Sequence, residues 1–201
     1  LVEALRGDGR LLQLNSYENR VFQVFLEDGD VVVAKFYRPA RWSDAQILEE
    51  HAFARELAAD DVPVVAPRVL SAGTDVQGLE LIGAPPTLAR WHDDAALHRV
   101  AVSDRHAGRA PELEDSAALR WLGRFLGRLH AVGARRLFAH RRTMDAATFG
   151  HAARQRLLEG GFVPETELPL WARWCDAALA RVDRAFAQHS GAQRLRLHGD
   201  F

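Results

Sequence analysis

Between Arg20 and Asp60 the chain reads as a β-hairpin followed closely by a helix, and that order constrains everything placed around it. Arg20 to Glu27 alternates, with Val21, Gln23 and Phe25 on one side and Phe22, Val24 and Leu26 on the other, which is the period of a strand. Asp28-Gly29 is a strong turn signal. The chain then returns through Asp30 to Tyr37, where Val31-Val32-Val33-Ala34 reads as a buried strand. Leu11 to Leu14 fits an edge strand before it. Ser43 and Gln46 form a capping box that opens a helix over 41–60.

The returning strand carries Lys35, the one lysine in a chain whose lysines and arginines together number 26. A coding bias toward arginine accounts for the ratio and leaves open why one lysine persists. A compact ammonium is required where a wide planar guanidinium fails. A cation set by a strand in an apolar run calls for an anionic partner, with phosphate the first candidate; the alternative is an exposed lysine that survived by chance. The next helix offers a side chain to orient it. With Ile47 at 0° and about 100° per residue, Ala54 falls near 340°, Leu57 near 280° and Phe53 near 240°. Glu50 falls near 300°, inside that apolar arc, whereas Glu49 and Glu56 lie toward its edge or beyond. A carboxylate on a buried face needs a partner, and a Lys35–Glu50 ion pair supplies one. The competing reading puts Glu50 at the rim, solvated.

Composition narrows the function. At 48% hydrophobic and 26% charged, the 201 residues suit a soluble globular protein with a real core. A net charge of −1 gives no global attraction for nucleic acid or anionic membranes. No apolar stretch approaches the length needed to span a bilayer, and no signal peptide opens the chain. Cys175 is the single cysteine, which excludes an internal disulfide and a cysteine-based zinc site and fits a reducing, cytoplasmic setting. The nine histidines show no metal-ligand spacing.

Further along, Val62 to Pro67 reads as a loop. Arg68 to Ala72, Gly78 to Ile82, Thr87 to Trp91 and Leu97 to Ser103 read as strands, with Asp93-Asp94 at a turn. From Ser103 to Glu114 the pattern fails and a linker is expected. Ser116 to Val132 is a helix with Leu119, Leu122, Leu126 and Leu129 in 3-4-3 spacing. Gly123 and Gly127 suggest close packing against a neighbour, Gly133 a stop, and His130 an inner, hydrogen-bonded structural histidine. Leu170 to Gln188 is a second long helix whose stripe of Leu170, Trp171, Trp174, Ala178, Val182 and Phe186 reads as core. Strands first and helices after suggest an α+β protein. The expected divisions are 1–104, a linker at 105–115, and 116–201.

The last residues alternate as Arg194-Leu195-Arg196-Leu197, a short strand leading into His198-Gly199-Asp200-Phe201. His-Gly-Asp resembles the catalytic loop of the protein-kinase-like phosphotransferases, in which an aspartate accepts the substrate hydroxyl proton. Other segments are distinctive: Leu14-Asn15-Ser16-Tyr17-Glu18-Asn19-Arg20-Val21, Lys35-Phe36-Tyr37-Arg38-Pro39-Ala40-Arg41-Trp42-Ser43, Ile47-Leu48-Glu49-Glu50-His51 and Gly108-Arg109-Ala110-Pro111-Glu112. Together with His198-Gly199-Asp200 they resemble the bacterial stress response kinase A family, within the aminoglycoside-phosphotransferase branch of the kinase-like fold. The resemblance implies a two-lobed kinase fold with 1–104 as its β-rich ATP-binding lobe. It also implies ATP and Mg2+ as cofactors, Ser/Thr protein kinase activity, and a cytoplasmic role in envelope and oxidative stress. It assigns Lys35 to the α- and β-phosphates, Glu50 to orienting Lys35, and Asp200 to catalysis. Ser16 and Asn19 fall in the phosphate-covering turn, and Ser103, Asp104 and Arg105 in the hinge that meets adenine.

No glycine occupies that turn, a departure from the Gly-rich loop of eukaryotic kinases. The metal-binding asparagine and later aspartate of the family are not among the 201 residues, so no metal ligand is assigned in this chain and both are expected beyond Phe201. Both ends of the chain look cut. The 201 residues alone are accordingly expected to lack appreciable transfer activity and to expose apolar faces of helices 116–132 and 170–188. Partners are a protein bearing a Ser/Thr hydroxyl, with no nucleic acid and no membrane, and the full-length protein is expected to be a monomer. Two alternatives stand beside this reading. One is a small-molecule kinase of the same fold, of aminoglycoside, homoserine or choline type. The other is a catalytically inactive kinase-like fragment or binding module.

Overall fold

A computed structural model describes residues 6–71, 78–92, 96–108, 111–112 and 114–197. It divides into two compact units, one of residues up to His140 together with those from Leu195, the other Arg141–Arg194. The fold is mixed, a sheet and helices, as the α+β pattern led us to expect.

In the first unit, six strands among the described residues form one antiparallel sheet: β1 (Gly7–Leu14), β2 (Arg20–Leu26), β3 (Val31–Phe36), β4 (Leu79–Gly83), β5 (Pro86–His92) and β6 (Leu97–Asp104), in the spatial order β1-β2-β3-β6-β5-β4. Turn chemistry closes the β2–β3 hairpin: Gly29 takes φ +90°, open to glycine at little cost, and the Asp30 amide donates to Asp28 Oδ1 at 3.0 Å. The register pairs Phe22 with Ala34 and Val24 with Val32, so these side chains share a face. With Val100 and Val102 of β6 they form one apolar cluster, backed by Phe22 set edge-on to Phe36.

Helix α1 (Asp44–Ala59) covers the other face. It starts at Ser43 rather than at Arg41, because both halves of the expected capping box are made: Ser43 Oγ accepts from the Gln46 amide, and Gln46 Oε1 from the Ser43 amide. Ile47 packs with Tyr37, Leu88 and Ala101 against the sheet. Phe53 and Leu57 pack with Leu129 and Val132 of α2 (Ser116–Gly133), whose amides at Ala117 and Ala118 are capped by Asp115. Helix α1 is thus buried along two sides.

Several sequence expectations are corrected here. The strand expected at Arg68–Ala72 reduces to a single bridge between Pro67 and Ser103, followed by amide bonds from Arg68 to Val102 and from Leu70 to Pro86. Ala72 and the Asp93-Asp94 turn lie outside the described residues. Gly133 is the last residue of α2, and it also makes room for Arg196, whose carbonyl oxygen would sit 2.3 Å from a Cβ there. Gly123 and Gly127 have no such neighbour among the described residues, and His130 is exposed rather than inward. Arg194–Leu197 is not a strand, and in its last two residues burial runs opposite to hydrophobicity: Arg196 is buried and Leu197 exposed.

The second unit holds a π-helical turn (Ala146–His151) running into α3 (Ala152–Glu159), and α4 (Leu168–Gln188). Asp145 caps the turn through the Thr148 amide at 2.7 Å. The α4 stripe read as core is largely exposed at Leu170, Trp174, Val182 and Phe186, because no described residue of this unit covers it. Among the described residues no helix is long and apolar enough to cross a membrane.

Candidate active site

Period-two alternation along β3 puts Val31, Val33, Lys35 and then Tyr37 on the face opposite Ala34. Lys35 is central there, opposite Val21 of β2 and Ala101 of β6. That face meets α1, and Lys35 Nζ stands 3.5 Å from Glu50 Oε1. The expected pair is present, but the reason for it changes. Both side chains keep more than a third of their surface, 35% for Lys35 and 38% for Glu50. Glu50 therefore faces an opening, not the core. An ion pair this exposed adds little to stability, while its ammonium stays accessible to a ligand.

Beneath it is a polar chain that the sequence did not announce. Lys35 Nζ lies 4.6 Å from the centre of the Tyr37 ring. The Tyr37 hydroxyl is 2.8 Å from His51 Nε2, and His51 Nδ1 is 2.9 Å from Thr87 Oγ1. All three residues are buried, His51 to 3% exposure. Burial pushes the His51 ring down to about 4, with Glu50 pulling it up and Lys35 down by smaller amounts. The ring is neutral at pH 7 and uses both nitrogens, one as donor and one as acceptor. The available signals were local: Tyr37 shares Lys35's strand face, and His51 follows Glu50 only about 40° from Ile47 on the helix.

A cavity of about 110 Å³ opens at the pair. Lys35, Glu50 and Ser103 line it together with apolar Ala54, Pro67 and Val102. This is smaller than the ~300–1,000 Å³ usual for a whole small ligand, so it accommodates part of one. Three of the sequence-assigned residues thus converge. Asp104 follows at the end of β6 and pairs with Arg68, and Arg105 is exposed. Ser16 and Asn19 meet in the turn between β1 and β2, where the Asn19 amide donates to Ser16 Oγ at 3.3 Å. Asn19 Oδ1 accepts from the Arg38 amide at 3.3 Å, which braces that turn against the chain leaving β3. Asp200 lies outside the described residues. Among the described residues no group of three or more His, Cys, Asp or Glu side chains is placed to hold a metal ion.

The model of the phosphotransferase enzyme family (APH) matches residues 10–201. Stress response kinase A of Escherichia coli strain K12 is 34% identical over 198 residues, covering 98% of this chain and 54% of its own. Serine/threonine protein kinase RdoA of Salmonella typhimurium strain LT2 is 35% identical, covering 98% and 55%. The chain spans about half the length of the curated relatives it matches. Among solved structures, the amicoumacin kinase hAmiN in complex with AMP-PNP, Ca2+ and Ami is similar in fold, with a TM-score of 0.60 at 18% identity over 90% of this chain and 51% of that one.

Proposed function

The chain belongs to the phosphotransferase enzyme family, and on that premise we propose that it is the nucleotide-binding part of an ATP- and Mg2+-dependent kinase acting on Ser and Thr hydroxyls of proteins. The observation that carries the reading is the Lys35–Glu50 pair at the mouth of a cavity that also reaches Ser103. The donor set suits a nucleotide. An accessible ammonium is a point charge for phosphate oxygens, and Ala54, Val65, Pro67 and Val102 offer an apolar wall for a flat base.

In this proposal Glu50 holds Lys35 toward the α- and β-phosphates. The Ser16–Asn19 turn covers the phosphates, and Ser103 to Arg105 meets adenine through backbone groups. Asp200 accepts the proton of the attacking hydroxyl. When bound, Mg2+ would neutralise negative charge on the nucleotide phosphates; no residue among those described is assigned to hold it. Residues 1–104 act as the ATP-binding lobe, 105–115 as a hinge and 116–201 as part of a helical lobe. The similarity to stress response kinase A supports a stress role.

The test is phosphoryl transfer from ATP by the whole protein, offered a generic basic protein beside a panel of small alcohols. Mg2+-dependent label on protein Ser or Thr is expected. Label on an alcohol alone would overturn the protein-kinase assignment, and no metal-dependent turnover would overturn the kinase reading.

A further inference from the structure

Arg196 is 2% exposed, the most deeply buried charged side chain among the described residues. Its guanidinium meets Glu56 of α1 through both terminal nitrogens, at 2.7 and 3.0 Å, and donates to the Val132 carbonyl of α2 at 2.9 Å. Its backbone amide donates to the Gly133 carbonyl at 3.1 Å. Its Cζ lies 4.2 Å from the centre of the Phe53 ring and 5.8 Å from that of Phe138. Its Nε finds no acceptor among the described residues. The bonds from Arg196, and a second arginine, Arg136, hold the Glu56 carboxyl below the usual range.

Two facts of the sequence give this clamp a consequence. Arg196 stands just before His198-Gly199-Asp200, and Glu56 lies on the same helix as Glu50. At about 1.5 Å per residue, those two glutamates are one rigid body about 9 Å apart along the axis. One helix therefore touches Lys35 through Glu50 and the entry to the His-Gly-Asp segment through Glu56.

We propose that Arg196 is a positioning residue, which registers the segment entering His198–Asp200 against the helix that orients Lys35. The inference rests on the kinase reading above. It requires the bidentate fork, which a lysine cannot reproduce. A merely structural ion pair could instead be replaced by two apolar side chains of similar volume.

The experiment compares the whole protein with R196K and with the double variant E56M/R196M, each at a temperature where it is fully folded. It reads Mg2+-dependent ATP turnover as kcat and KM, and the thermal midpoint. For R196K we expect kcat to fall by about 10- to 100-fold with the KM for ATP nearly unchanged, the pattern of misplaced groups. For the double variant we expect a midpoint close to wild type with kcat still depressed. A folded double variant that turns over at the wild-type rate overturns the inference. If the double variant does not fold, R196K decides alone, and wild-type kcat there, or a loss confined to KM, overturns it. A wild-type protein without turnover overturns the kinase reading itself, and the inference with it.

Discussion

Helices α1 and α4 are about equally hydrophobic on average, α4 carries the cleaner apolar stripe, and it is α1 that the structure buries. Helix α1 closes two apolar clusters, with Ile47 against the sheet and Phe53 and Leu57 against α2. Helix α4 buries Leu179, on which Gly150 packs, and leaves Trp174 63% exposed. Its unit is held by polar tethers, His151 to Asp183 at 3.0 Å and Arg154 to Asp176 at 3.2 Å. Amphipathic periodicity states that a face is to be covered; it does not state by what. For α1 the cover is the sheet and α2, both within the described residues. For α4 it is not among them, in a chain spanning about half the length of its curated relatives.

The sharpest way to break this contrast is at the site that α1 serves. Lys35→Arg in the whole protein keeps the charge and swaps a point donor for a planar fork. We expect turnover to fall by about two orders of magnitude or more, the scale seen when one preorganised donor is lost. Circular dichroism and the thermal midpoint should stay near wild type, because an exposed pair holds little stability. Near-normal turnover would remove Lys35 from the mechanism.

What could be read in advance follows from the range of the interactions. The β2–β3 hairpin and the start of α1 were legible, since Asp28-Gly29 and Ser43–Gln46 are decided within a few residues. Lys35–Glu50 was legible because a lone lysine and a helix wheel are both local observations. Arg196 was not: its carboxylate partner lies 140 residues away in sequence, and its alternating neighbours suggested a strand. The π-helical turn and α3 were missed because they are short and carry no buried residue to set a period. The Tyr37–His51–Thr87 chain joins three elements, and no one stretch of sequence contains it.

Core truncation separates the two helices next. Ile47 is fully buried; Ile47→Ala should cost about 2–5 kcal/mol, read from urea midpoints. A loss below about 1 kcal/mol would mean that the α1 face relaxes as freely as a surface.

His51 gives a pH-dependent measure of the same region. Its folded pKa, about 4, lies below the ordinary 6.5. Between those values the unfolded chain binds a proton that the folded chain refuses, so stability rises with pH through the window. It is complete above about pH 6.5 and declines as pH falls toward 4, by about 3 kcal/mol in all. In urea melts at pH 7.5 and 5, wild type should lose about 2 kcal/mol more than His51→Gln, which lacks the titrating ring. Equal slopes would show that the ring takes up its proton in the fold and that the chain to Tyr37 and Thr87 is not closed.

The smallest stability effect is expected on α4. Replacing Trp174 and Phe186 by Gln in the 201-residue chain removes large apolar groups that are only partly buried, 63% and 48% exposed. Less burial is lost than in a core truncation, so the unfolding free energy should move by no more than about 1 kcal/mol. Association should respond instead, because contiguous exposed apolar surface drives it. Light scattering of the purified chain should fall on substitution while the urea midpoint stays put. A stability loss above about 2 kcal/mol would show that these residues are core in solution, and the contrast between α1 and α4 would then collapse to a difference in degree. Unchanged scattering with unchanged stability would leave α4 exposed yet inert, and would move any surface responsible for association to α2, where Leu119 and Trp121 are both about half exposed.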